Sequence, residues 1–108
     1  MRYLPLACII TLTSALNSTY NILALDGGGI RGIIAATILD HMETEAYSYA
    51  LDQGYIKENV DQRLSMGNLF DMVSGTSTGS ILAAGLVFPK EAGSSEPMYF
   101  ADDMRNMY

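Results

Sequence analysis

The chain has 108 residues, enough for one small domain at most. With 49% apolar and 17% charged residues it can build a core, which excludes a disordered tail. Its formal charge of −6, from 12 acidic and 6 basic residues, excludes the clustered basic face of a nucleic-acid binder and reads as solubility.

Residues 1–15 read as a signal peptide. Arg2 gives a positive start, Leu4 to Leu16 is mainly apolar, and Thr13 and Ala15 set small residues before a cut near Ala15. That run is shorter than the roughly 20 residues a bilayer span needs, so the expectation is a secreted or secretory-lumen protein. Cleavage removes Cys8, the only cysteine, and leaves a mature chain without thiol, disulfide or cysteine metal site. Asn17-Ser18-Thr19 fits a glycosylation acceptor, but so short a match beside the cut carries little weight.

Asn21 to Leu25 is a short apolar run stopped by Asp26 and three glycines, and it predicts a buried parallel strand. From Gly32 to Leu51, residues Ala35, Ile38, Leu39, Met42, Ala46 and Tyr49 recur at helical spacing, with Gly54 as a stop. Tyr55 to Gly67 is polar and reads as a surface connection, with at most a turn of helix. Leu69 to Ser74 predicts a second buried strand, and Gly75 to Gly79 a sharp turn. Ser80 to Val87 is apolar nearly all round, which predicts a central, buried helix ended by Phe88-Pro89. Met98 to Tyr108 begins a further helix. Strand, helix, strand, helix is the order of an α/β sheet with helices on its faces.

Two segments carry chemistry. Gly75-Thr76-Ser77-Thr78-Gly79 matches the nucleophile elbow G-x-S-x-G. A serine at the tip of a tight strand-to-helix turn has its hydroxyl pushed into a cleft, and small residues two places either side let the turn close. Alone, the pattern is equally an ordinary Gly/Ser/Thr turn; the apolar strand before it and apolar helix after it favour the elbow. The second segment is Asp26-Gly27-Gly28-Gly29-Ile30-Arg31-Gly32. Consecutive glycines at a helix start leave backbone N–H groups open to negative charge. Beside a nucleophilic serine they form an oxyanion hole, each donor lowering the barrier by roughly 3–4 kcal/mol. Arg31 braces this loop or adds charge to it.

Residues 27–32 also satisfy the dinucleotide fingerprint G-x-G-x-x-G. That fingerprint expects an acidic residue closing a second strand about 20 residues on. Here the stretch from Glu45 to Asp52 falls in or at the end of the predicted helix, and the cofactor reading leaves the serine turn unexplained. A P-loop is excluded because no Gly-Lys-Ser/Thr follows.

In order and spacing, D-G-G-G-I-R-G, a helix, and F-D-M-V-S-G-T-S-T-G resemble the patatin-like phospholipases over Asn21 to Leu86. The resemblance implies a three-layer α/β/α fold, a partial domain over residues 21–108, and cleavage of acyl lipids by a Ser–Asp dyad that needs no metal or organic cofactor. It implies Ser77 as nucleophile and Gly27, Gly28, Gly29, Arg31 and Gly32 as the oxyanion loop, with Gly75 and Gly79 in the elbow. Ala35 stands where many members have proline and Ser80 where glycine often follows the elbow.

The larger departure is the base. The family's aspartate lies downstream in a D-G-[GA] motif, and after Ser77 only Asp102 and Asp103 occur, neither before glycine. Asp26 reads D-G-G but leads the oxyanion loop. His41, the only histidine, reads as a surface or packing residue of the first helix. With about 90 mature residues and a thin core, the chain reads as a fragment lacking the dyad aspartate. Two functions follow: a lipid acyl hydrolase whose base this chain lacks, or a catalytically inactive lipid- or partner-binding remnant. Met98, Met104 and Met107 with Tyr99 and Phe100 read as ordinary core; the alternative is an acyl channel or membrane-surface contact.

Overall fold

The computed structural model describes residues 19–59 and 61–108, so the leader at 1–15 and the first two residues of the acceptor triplet lie outside the described residues. Chain order is β1 (Ile22–Leu25), a 3-10 turn (Gly29–Arg31), α1 (Gly32–Asp52), α2 (Met66–Leu69), β2 (Met72–Gly75), α3 (Thr78–Val87) and α4 (Ala101–Arg105). The strands pair in parallel, Ile22 opposite Met72 and Leu25 opposite Gly75, so the fold is α/β with α1 inside the crossover. Asp71 pins the strand starts together, its Oδ2 accepting the Asn21 amide at 2.7 Å.

Helix α3 packs on both strands and α4 packs along α1. Leu25, Ala36, Leu39, Met66, Leu82, Ala83, Leu86, Ala101 and Met104 form the core between them. Gly54 stops α1 as expected: it adopts φ 73°, and the Tyr55 amide returns to the Ala50 carbonyl at 2.9 Å. No helix among the described residues is long and apolar enough to cross a membrane.

Four expectations need correction. The buried line of α1 is Ala36, Leu39, Glu43, Tyr47 and Ala50, not the stripe through Ile38, Met42 and Tyr49, which are all exposed. The true line contains a carboxylate, so a search for apolar spacing rotates away from it. The second strand starts later than Leu69 because Ser65 accepts the Gly67 amide and caps residues 66–69 into a helical turn. The strands and α3 are buried on one side only. Ile22 and Met72 are about half exposed (54% and 47%), as are Ile81 and Val87 (61% and 52%), because one layer covers them among the described residues. Of the methionines read as core, only Met104 is buried, while Met98 and Met107 are exposed.

Candidate active site

Because the strands run parallel with Leu25 level with Gly75, the loops leaving their carboxyl ends emerge at the same sheet edge. The Thr76 amide continues the ladder to the Leu25 carbonyl at 3.1 Å, and the Gly27 amide donates to Thr76 Oγ1 at 3.1 Å. A β-carbon at Gly27 would stand 2.6 Å from the Thr76 carbonyl oxygen and 2.7 Å from Ser77 Cβ. The glycine loop and the serine turn are therefore in van der Waals contact.

Ser77 has φ 51° and ψ −125°, a backbone conformation that residues other than glycine rarely adopt. It is exposed, and its hydroxyl makes no capping bond to α3 although it occupies the cap position. Serines at that position ordinarily spend their side chain on the helix; this one does not. The turn closes through the Gly79 amide to Thr76 and the Ser80 amide to Ser77, both at 2.9 Å. A β-carbon at Gly75 would run into the Gly79 carbonyl, and one at Gly79 into the Leu25 carbonyl. Ser80 adds a brace of its own, its Oγ donating to the Ser77 carbonyl at 2.5 Å.

The loop residues divide their work. Gly28 and Gly29 take positive φ, 154° and 59°, and their amides have no hydrogen-bond partner among the described residues. The Gly27 amide is already engaged by Thr76. Arg31 braces the loop: its amide donates to the Gly28 carbonyl at 3.2 Å and its Nε to the same oxygen at 3.4 Å. Gly32 is buried and serves close packing, since a β-carbon there would lie 2.9 Å from Tyr108 Cζ and 3.0 Å from Thr78 Cγ2.

No carboxylate or imidazole is hydrogen-bonded to Ser77 among the described residues. Asp102 pairs with Arg63, and Asp103 accepts the Phe100 amide at 2.9 Å at the start of α4. Asp26 is exposed at the head of the glycine loop, and His41 is exposed on α1. An open cleft of about 400 Å³ beside Asn68, Lys90 and Phe100 has neither Ser77 nor any glycine-loop residue in its lining.

The sequence reading missed Glu43, Thr76 and Tyr108. Glu43 is fully buried, its Oε1 accepting the Met66 amide at 3.0 Å and its Oε2 the Ala101 amide at 2.9 Å. Burial pushes its carboxyl above the usual carboxylate range, against the opposing pull of those two amides and of Arg63. The available signal was its place four residues from both Leu39 and Tyr47 on the helix.

A family model described as "Patatin-like phospholipase" matches residues 23–107. The chain is 39% identical over 87 residues to Patatin-like protein 2 of Oryza sativa subsp. indica, covering 81% of this chain and 18% of the relative. It is 34% identical over 106 residues to Patatin-T5 of Solanum tuberosum, covering 98% and 25%. With Patatin-like protein 4 of Arabidopsis thaliana the identity is 37% over 87 residues, covering 81% and 19%. The chain thus spans a quarter or less of the length of these relatives. No solved structure matches. Glycine loop, elbow serine and sequence likeness agree, and the chain belongs to the patatin-like phospholipase family.

Proposed function

We propose that this chain carries the nucleophile and oxyanion hole of a lipid acyl hydrolase. The observation that carries the reading is the contact between Gly27 and Ser77, an exposed serine whose hydroxyl makes no capping bond to α3. Ser77 Oγ attacks the carbonyl carbon of an acyl ester while its proton passes to the base. The tetrahedral oxyanion is held by the Gly28 and Gly29 amides and favoured by the positive N-terminal end of α3. The ester C–O bond then breaks, the alcohol leaves with the proton, and water cleaves the acyl-enzyme. In this reading the base is an aspartate outside the described residues, among which no carboxylate is hydrogen-bonded to Ser77 and Asp102 and Asp103 are held by Arg63 and the Phe100 amide.

The half-exposed apolar side chains of β1, β2 and α3 support a complete three-layer α/β/α sheet in the whole protein. Its substrate is an acyl lipid met at a membrane surface, and its location the secretory route. The test is hydrolysis of a chromogenic fatty ester by the chain continued through a D-G-[GA] motif. Ser77→Ala is expected to abolish turnover, and unchanged turnover overturns the reading. A second reading, a lipid- or partner-binding remnant without catalysis, is favoured by the engagement of both downstream aspartates. Ester hydrolysis that depends on Ser77 excludes it.

A further inference from the structure

Tyr108 lies thirty residues after the elbow, yet its hydroxyl is hydrogen-bonded to Thr78 Oγ1. Thr78 is buried, is the first residue of α3 and follows Ser77 directly. The tyrosine reaches it through a gap that exists only because position 32 is glycine. A β-carbon there would collide with the Tyr108 hydroxyl and lie 3.0 Å from the Thr78 methyl carbon. Gly32 closes the oxyanion loop and opens α1. One phenol therefore stands at the meeting of the two helix starts that hold the two halves of the site. Although Tyr108 is 40% exposed as a residue, its hydroxyl is the part turned inward.

Resting on the acyl-hydrolase reading, we infer that Tyr108 is a positioning residue, fixing Thr78 and so the angle at which Ser77 meets the Gly28 and Gly29 amides. Two features make this more than packing. Ser77 is held at φ 51°, and a residue in a sparsely populated region stays there only when its surroundings over-determine it. The Ser80–Ser77 bond restrains the elbow from inside α3, whereas Tyr108 is a side chain from outside the elbow and the glycine loop that bonds to Thr78. A nucleophile displaced by about an ångström loses up to a hundredfold in rate, so a restraint at the adjacent residue acts on chemistry before it acts on binding.

The experiment compares the 108-residue chain with Tyr108→Phe, which keeps the ring and removes the hydroxyl, and with Thr78→Val, which removes the bond from the other side. Two readouts are taken. In the amide proton–nitrogen spectrum, both variants are expected to shift Ser77, Thr78, Gly28 and Gly29 while α1 beyond Leu39 stays in place. Unmoved site amides overturn the inference, whatever the chemistry shows. In labelling by a fluorophosphonate, the inactivation rate constant is expected to fall about tenfold with the binding constant unchanged. Where the parent labels faster than Ser77→Ala, a loss confined to the binding constant, or equal labelling by parent and Tyr108→Phe, also overturns it. Where it does not, for want of the base, the spectrum alone decides for Tyr108, and the acyl-hydrolase reading is tested by the ester assay on the continued chain.

Discussion

The backbone of Gly27 lies against the side chain of Ser77, leaving 2.7 Å between Ser77 Cβ and the place a β-carbon at position 27 would take. Real β-carbons do not approach so closely, and the second neighbour at 2.6 Å is the Thr76 backbone oxygen, which cannot swing aside. Gly27→Ala is therefore expected to push the two loops apart. Labelling of Ser77 by a fluorophosphonate should fall by about a hundredfold. The overpacking should cost about 1–3 kcal/mol in urea unfolding. A variant that labels at the parent rate contradicts the contact.

Arg31 separates loop geometry from stability. It is exposed, and both its amide and its Nε meet the Gly28 carbonyl. Arg31→Ala is expected to slow labelling about tenfold by loosening the loop. The unfolding free energy should move by less than about 1 kcal/mol, as for most surface changes. Lysine, which has no Nε–H at that point along its stem, is expected not to restore the rate.

Glu43 should govern stability rather than chemistry. Truncation to alanine strips the Met66 and Ala101 amides of their acceptor, and the expected loss is about 2–4 kcal/mol. Because burial raises the carboxyl above its ordinary 4.5 in the folded chain, the native state binds the extra proton. Its stabilising contribution is thus complete below pH 4.5 and is lost as pH rises through the elevated folded value. Glutamine at position 43 does not titrate. The advantage of the parent over Glu43→Gln, read from urea midpoints, is therefore expected to shrink as pH rises from 4.5 toward neutrality. An advantage that grows over that range contradicts the assignment.

The elements that carry the site were legible because their signals are local. Three glycines after an apolar run, and a serine between glycines before another, are short patterns whose backbone demands are met within a few residues. The helix start at Gly32 and its stop at Gly54 were legible for the same reason. What escaped the sequence is what depends on distant partners. The inward face of α1 includes Glu43, whose burial makes sense only once Met66 and Ala101 stand opposite it. Gly32 reads as another amide donor until its N–H is found turned back onto the Gly29 carbonyl of the 3-10 turn. Gly27 reads the same way until Thr76 takes its hydrogen.

Peptide mapping of the fluorophosphonate adduct on the 108-residue chain tests the central claim most directly. The account predicts one modified site, Ser77, with its neighbours Ser74 and Ser80 untouched and no adduct in Ser77→Ala. A slow reaction is expected, because on this account the glycine-loop amides act there without a base. Adducts spread over several serines, or undiminished labelling after Ser77→Ala, would contradict it.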